Sequence, residues 1–325
     1  MHVPIERSGA EIGIDTELIN PELIDPELDR LLDRMPCTAT RPRTVEDLPG
    51  GLTNRNLKVS TPDAAVVVRL SAGATSLLSI DRANEYANSR AAATTGVGPP
   101  VLDYLPGEGV LVIGFLPGRT LTNDDLTDPA LLAQVARSCR TLHAGPRFVA
   151  DFDMFDIQRR YLTIVQENGF RLPPRYLEFA PAVERIEQTL AVRREPPVPC
   201  NNDLLAANLI DDGAKVWIID YEYSGNNDAC FELGNIWSEA ALPLAHLEEL
   251  VGQYYGRALR NKVARARLLG LMSKYGWALW ASIQHGASSL DFDFWSWGME
   301  KYDRAVAEFD GPDFERLLSE VQRTD

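Results

Sequence analysis

The sequence predicts an α+β chain of two lobes, a small β-rich N-terminal lobe followed by a larger helical C-terminal lobe. Three observations carry that expectation. Up to about residue 120, apolar residues come in strand-length runs such as "AAVVVRL" and "GVLVIGFL", punctuated by Gly and Pro. Beyond it the texture turns helical, in "DPALLAQVARSCRTLHAG", "FDIQRRYLTIVQENG" and "YLEFAPAVERIEQTLAVRRE". A strand–turn–strand segment, beginning at "PCNNDLLAANLI" and ending in "VWIIDYEYSG", interrupts the helical half. The expected division is 1–36 for an acidic leader and short helix, 37–119 for the N-terminal lobe and 120–325 for the C-terminal lobe.

The elements follow in order. "DPELDRLLDRM" reads as a short amphipathic helix, with Asp25 as N-cap and Pro26 at the first helical position. "TVEDLPGGLTNRNLKVSTPDAAVVVRLSA" reads as extended runs around a glycine pair and a turn at "STPD". "SIDRANEYANSRAAATTGVG" is a helix that stops at its glycines. "PPVLDYLPGEGVLVIGFLPG" is two short strands about a Pro-Gly-Glu-Gly turn. After the interrupting hairpin come "ACFELGNIWSEAALP" and "HLEELVGQYYGRAL" as helices, then a Trp-rich tail. In a bilobal plan the cleft between the lobes is the place for a site.

Composition excludes several classes. The 325 residues are 45% hydrophobic and 24% charged, ordinary usage for a globular chain. No apolar run approaches the roughly 18 residues of a membrane span, and the start lacks a basic region followed by an apolar one. No membrane insertion and a cytoplasmic location are therefore expected. Cys37, Cys139, Cys200 and Cys230 are scattered, which argues against a disulfide scaffold or structural zinc and suits a reducing compartment. The net charge of −15 repels nucleic acid and suits a cationic partner. Oligomeric state stays open, with a homodimer among the options. His2, His143, His246 and His285 sit in no motif.

The hairpin segment carries the chemistry. Asp203 and Asn208 stand in otherwise apolar surroundings, where a carboxylate and an amide are costly unless paired. A turn capped by the two side chains would explain them. The second arm adds Asp220 and Glu222, which in a strand share a face. Asn208, Asp220 and Glu222 together make a hard-oxygen set suited to Mg²⁺, leaving Asp203 free to orient or deprotonate a hydroxyl. That combination is the arrangement of a phosphotransferase. In the small lobe, "LPGGLTNRN" can bring the backbone amides of Gly50, Gly51 and Thr53 close to phosphate oxygens. Arg69, mid-strand, needs a partner, and Glu85 in the following helix is the candidate. A plain structural ion pair would also explain those two.

The order of these residues resembles the choline/ethanolamine kinases, relatives of aminoglycoside phosphotransferases and, more distantly, of protein kinases. The resemblance spans about residues 45–310 and is most specific in "IDYEYSGNNDACFELGNIWSE" and "YGWALWASIQHGASSLDFDFWSWGMEKYDR". It implies a protein kinase-like bilobal fold and ATP with Mg²⁺ as cofactors. It also implies phosphorylation of the hydroxyl of a small cationic amino alcohol, choline or ethanolamine. Gly50, Gly51, Thr53, Asn54, Arg69 and Glu85 then serve ATP, and Asp203 is the catalytic base. The resemblance also marks Glu239 as a substrate contact, with Tyr223 beside it. One departure stands out: the family's catalytic loop usually reads His-x-Asp, and here Asn201 replaces the histidine. An asparagine can still brace backbone, so activity is expected to survive. The substitution nevertheless keeps open a pseudokinase that binds without turnover.

The tail can also be read by itself. Trp277 and Trp280 share a helical face, as do Phe294 and Trp297, and such spacing ordinarily marks core. Yet Trp277, Trp280, Trp295 and Trp297 fall close together in a chain with only six tryptophans. A quaternary ammonium has no N–H to donate, so aromatic faces and carboxylates are what recognise it. Trp277, Trp280, Phe294 and Trp297 are accordingly expected at the substrate. The competing enzyme is a kinase of an aminoglycoside-like substrate, whose several ammonium groups would call for a more acidic cleft.

Overall fold

A computed structural model describes residues 24–71, 75–78 and 80–324. The leader up to residue 23 lies outside the described residues. Helix α1 (Pro26–Asp33) starts as expected, with the Asp25 side chain accepting from the Glu27 N–H at 2.8 Å. After the short α2 (Pro36–Ala39) come β1 (Thr44–Leu48), β2 (Asn54–Ser60) and β3 (Ala65–Ser71), then α3 (Arg82–Thr95), β4 (Val101–Leu105) and β5 (Val110–Gly114). The five strands form one antiparallel sheet in the order β1-β2-β3-β5-β4.

Period-two alternation decides what each face of this sheet does. Leu57, Val59, Val66, Val68, Val110 and Val112 are buried together with Leu32 and Met35, which lie on or just after α1. So α1 packs on the small lobe. The intervening β3 residues Val67 and Arg69, with Ile113 paired opposite Val67, turn to the cleft between the lobes. A one-residue slip would bury the guanidinium among valines and expose the valines to the cleft.

The larger lobe contains β6 (Arg119–Thr120), α4 (Pro129–His143), α5 (Met154–Glu167) and α6 (Ala180–Val192). Next come β7 (Val198–Cys200), β8 (Leu209–Asp211), β9 (Val216–Ile218) and β10 (Gly225–Asn227). The chain closes with α7 (Ala229–Glu239), α8 (Leu244–Tyr255), α9 (Arg260–Ala287), α10 (Phe294–Phe309) and α11 (Phe314–Glu320). The hairpin β8–β9 is joined by β6, with Thr120 opposite Ile210, so the segment leaving the small lobe is tied to the arm that carries Asn208. Helix α9 is buried along most of its length, as a helix apolar on nearly all sides must be. It meets α7 so closely that a Cβ on Gly234 would stand 2.1 Å from the Ala266 carbonyl oxygen. No helix among the described residues is long and apolar enough to cross a membrane.

Candidate active site between the lobes

A cavity of about 470 Å³ opens between the lobes. Its wall includes Gly50, Gly51, Thr53, Asn54 and Arg69 from the small lobe. The large lobe contributes Asp203, Asn208, Asp220, Glu222, Tyr223, Glu239, Trp277, Trp280 and Trp297. Residues more than 200 positions apart in sequence thus line one space.

The glycine loop is shaped by its own backbone. Gly50 has φ +103°, and a Cβ on Gly51 would lie 2.1 Å from the Asn54 carbonyl oxygen, so neither position accepts a side chain without rearrangement. The two polar residues that follow reach across the cleft. Thr53 Oγ1 donates to Glu222 Oε1 at 2.8 Å, and Asn54 Nδ2 donates to Glu222 Oε2 at 2.8 Å.

Beneath the loop lies a network of buried charges. Arg69 Nη1 is 2.7 Å from Glu85 Oε1 and 2.7 Å from Asp220 Oδ1. The expected Arg69–Glu85 pair is present, and Asp220 completes it. Burial opposes the charge on Arg69, but Asp220 and Glu85 outweigh burial and hold the guanidinium firmly protonated. Arg82, which the sequence reading passed over, donates to Glu85 Oε2 at 2.6 Å, to Glu222 Oε2 at 3.2 Å and to Asn54 Oδ1 at 2.8 Å. Its place three residues before Glu85 on one helical face was the available signal. Burial, with the Asp220 charge adding to it, pushes Glu222 up to about 7, although Arg69 and Arg82 pull the other way.

The hairpin differs from the expectation in one respect. Asp220 and Glu222 do not share the face of a strand, because β9 ends at Ile218 and Asp220 has φ +62°. A left-handed aspartate is strained backbone of the kind that clusters at functional sites. The turn aims Asp220 at Arg69 and carries Glu222 round to the glycine loop. Asp203 and Asn208 likewise precede β8 rather than lie within it, Asn208 closing the 3₁₀ turn Ala206–Asn208. The Asn208 side-chain amide donates to the Asp203 carbonyl at 2.8 Å, which leaves its amide oxygen for a ligand.

Asn201 acts as a brace. Its side-chain amide donates to the carbonyls of Ile219 (3.1 Å) and Asp220 (2.7 Å), and its oxygen accepts from the Asp203 N–H at 3.1 Å. Behind it, buried Glu232 accepts the N–H groups of Asn201 (2.8 Å) and Asn202 (2.7 Å), and Asn235 accepts that of Leu204 (2.8 Å). Nothing in the sequence marked Glu232, since its partners are backbone. His143 and Cys200 also approach Glu232, a juxtaposition invisible in the sequence. There Glu232 is taken up by the two amides, and His143 Nδ1 lies 2.8 Å from the Tyr254 hydroxyl.

At Asp203, burial first, then the charges of Glu239, Asp220 and Glu222, raise the carboxyl well above its usual range, with Lys301 opposing them. The aromatic wall stands beside it. Trp280 Nε1 donates to the Tyr223 hydroxyl at 2.8 Å, the Tyr223 and Trp277 rings meet edge-on at 4.9 Å, and Trp280 meets Trp297 at 5.5 Å. Phe294 was expected at the substrate but is buried behind Trp280, with ring centroids 5.8 Å apart, and takes no part in the cavity wall. Trp295 faces elsewhere, stacked on Arg171 and near His285. Helix geometry accounts for Trp295, which projects about 140° away from a face centred on 297 and 301, whereas Phe294 shares that face one turn earlier and meets the Trp280 ring instead of the cavity.

The profile of the choline/ethanolamine kinases matches residues 45–250. The chain belongs to that family. Ethanolamine kinase 2 of Rattus norvegicus is 29% identical over 288 residues, covering 78% of this chain and 73% of its own. A choline/ethanolamine kinase family protein from Mesorhizobium loti superposes with a TM-score of 0.81 at 30% identity, over 91% of this chain and 98% of that one. Aminoglycoside phosphotransferase APH(4)-Ia is alike in fold, with a TM-score of 0.61 at 16% identity over 87% of this chain and 98% of its own. As a member of this family the chain is a small-molecule kinase with the bilobal kinase-like fold. Within that kinase frame the Asn201 contacts explain how the loop before Asp203 keeps its shape without a histidine.

Proposed function

We propose that the chain transfers a phosphoryl group from ATP, with Mg²⁺, to the hydroxyl of a small cationic amino alcohol such as ethanolamine or choline. The single observation that carries this reading is the pairing of two chemistries in one cavity. Asp203, Asn208 and Asp220 line it together with Trp277, Trp280, Trp297 and Glu239. A wall so rich in carboxylates favours cationic occupants, which offset the mutual repulsion.

The donor set fits the implied groups. Asp220 offers a carboxylate and Asn208 a free amide oxygen, hard ligands for Mg²⁺, with Glu222 close by. The side-chain-free turn at Gly50 and Gly51 leaves room for phosphate oxygens. Bound there, Mg²⁺ would neutralise charge on the phosphates. Arg69, fixed by Glu85, adds a second positive charge on the nucleotide side. Thr53 and Asn54 are held by Glu222, and they cover the nucleotide when that contact is exchanged for phosphate. Asp203 accepts a hydrogen bond from the substrate hydroxyl, orients it and takes its proton as the new oxygen–phosphorus bond forms and the bond between the γ-phosphorus and ADP breaks. Asn201 and Glu232 hold the loop so that Asp203 meets the hydroxyl already positioned.

The aromatic wall and Glu239 would read the ammonium head, as rings and carboxylates do for such cations. An aminoglycoside carries several ammonium groups, and beside the tryptophans it would find one carboxylate, Glu239, the others lying on the metal and nucleotide side. The four cysteines are all unpaired, which fits a reducing compartment and a cytoplasmic location. The test is ADP release measured with ATP and Mg²⁺ across ethanolamine, choline and kanamycin. Turnover with the amino alcohols and none with kanamycin is expected. Turnover with kanamycin alone, or with none of the three, overturns the reading.

A further inference from the structure

The wall suited to an external ammonium already holds an internal one. Lys301, on α10, is 5% exposed, and its Nζ bonds Glu239 Oε2. The same nitrogen stands 4.2 Å from the centre of the Trp297 ring. A carboxylate on one side and an aromatic face on the other is the environment that recognises a free alkylammonium. Lys301 therefore occupies, from within the chain, the kind of position the substrate head would seek. The neighbouring Lys274 is engaged elsewhere, with Glu308 and the Trp237 ring, so Lys301 is the lysine that answers Glu239.

Two polar atoms at this wall have no hydrogen-bond partner among the described residues. Glu239 Oε1 and Trp277 Nε1 are buried without a hydrogen bond, and both residues line the cavity. An unpaired buried carboxylate oxygen is costly and is satisfied best by a donor arriving from outside. A primary ammonium has three N–H groups and can give one to Glu239 Oε1 while Lys301 keeps Oε2. A trimethylammonium has none to give. It must either displace Lys301 from Glu239 and Trp297 or sit against a like charge.

We propose that Lys301 is a specificity-determining residue, whose ammonium fills half of the Glu239–Trp297 cation site and biases the pocket toward primary over quaternary ammonium alcohols. This rests on the amino-alcohol reading above and narrows it: the chain prefers ethanolamine-like to choline-like substrates. The chemistry is selection by hydrogen-bond donors rather than by ring contact. The rings attract either head group, but only the primary amine completes the carboxylate.

The test compares the full-length chain with Lys301→Met, which keeps an apolar stem and removes the charge. Steady-state kinetics with ethanolamine and choline should give a wild-type kcat/KM in favour of ethanolamine. In Lys301→Met that ratio should fall about tenfold or more, mainly through a lower KM for choline. Lys301→Arg keeps the charge and can take both Glu239 oxygens, so its KM for ethanolamine should rise and choline should gain nothing. It also serves if the methionine variant does not fold. A binding arm uses no turnover: tetramethylammonium and methylammonium chloride are titrated against tryptophan fluorescence. Tetramethylammonium should bind Lys301→Met about tenfold tighter than wild type, with methylammonium gaining less. Equal changes for both substrates or both cations, or an arginine variant that behaves like the methionine one, overturn the proposal. If the wild type turns over neither alcohol, the amino-alcohol reading falls, and the two cations alone decide the role of Lys301.

Discussion

Arg69 and Asp220 come from different lobes and 151 positions apart, yet one guanidinium nitrogen lies 2.7 Å from the Asp220 carboxylate while also holding Glu85 at the same distance. A single cation thus links the small-lobe strand, the small-lobe helix and the Asp220 turn of the large lobe. It explains how a carboxylate in a strained left-handed backbone is kept in place before any ligand arrives.

That link sets the first prediction. Asp220→Ala should leave the fold intact and bring kcat with Mg²⁺ below about a tenth of wild type, because in the proposed function it deletes a carboxylate ligand of the metal. Circular dichroism checks the fold and the ADP-release assay checks turnover. A variant that keeps most of its kcat would remove Asp220 from the metal.

Asp203→Asn keeps shape and reach but loses the charge that faces the hydroxyl. Turnover should fall by about 10² or more, with nucleotide affinity near normal. ATP affinity is measured by titration calorimetry beside the kinetics. A large loss of ATP binding would make Asp203 a structural residue.

The glycine loop is tied down through Glu222. Thr53→Val removes the hydroxyl and with it both contacts that Thr53 makes to Glu222, leaving Asn54 and Arg82 to hold the carboxylate. Amide hydrogen exchange over residues 50–54 should quicken several-fold in the nucleotide-free protein, since an isolated bond of this kind contributes about 1 kcal/mol. Unchanged exchange would mean that the loop holds itself.

Glu232 is fully buried and accepts the backbone N–H groups of Asn201 and Asn202, in the loop that leads to Asp203. Glu232→Gln offers one oxygen where two are needed, so a buried donor loses its partner at a cost of about 1–3 kcal/mol. The melting temperature should drop, and kcat should fall more than KM rises, because the loop carries Asp203 rather than the substrate head. A fall in stability with kcat intact would confine Glu232 to folding.

Trp280 is 6% exposed and anchored through Nε1 to Tyr223, so a small replacement would unsettle the core. Trp280→Phe is the milder probe. It should raise KM for choline more than for ethanolamine, by roughly tenfold for choline at the upper end of a desolvated cation–π contact. Equal effects on both, with a large fall in melting temperature, would make this tryptophan ordinary packing.

How much of this was legible in advance depended on whether a residue acts through local pattern or through distant partners. The strands from 44 to 114, the capped helix at Arg82–Thr95 and the β8–β9 hairpin follow from periodicity and turn chemistry, which are local properties. The motif residues Asp203, Asn208, Asp220, Arg69 and Glu85 stood out because polar groups in apolar runs need partners. The aromatic tail was only half legible, since helical spacing groups residues on a face but does not say which neighbour that face meets. So Trp277, Trp280 and Trp297 line the cavity while Phe294 backs onto Trp280.

The sequence by itself determined the two-lobed α+β plan, the glycine turn and the carboxylate-rich hairpin, because each is written in contiguous residues. Only the tertiary structure decided that Asp220 leaves its strand in a left-handed turn toward Arg69, that Arg82 gathers Glu85, Glu222 and Asn54, and that Lys301 sits between Glu239 and Trp297. The charge pairs that span the chain, Arg69–Asp220, Arg82–Glu222 and Lys301–Glu239, join groups 62 to 151 positions apart, selected by which partner is within reach once the core has closed. Desolvation makes an unpaired charge too costly to leave, but it does not say in advance which opposite charge will be there to meet it.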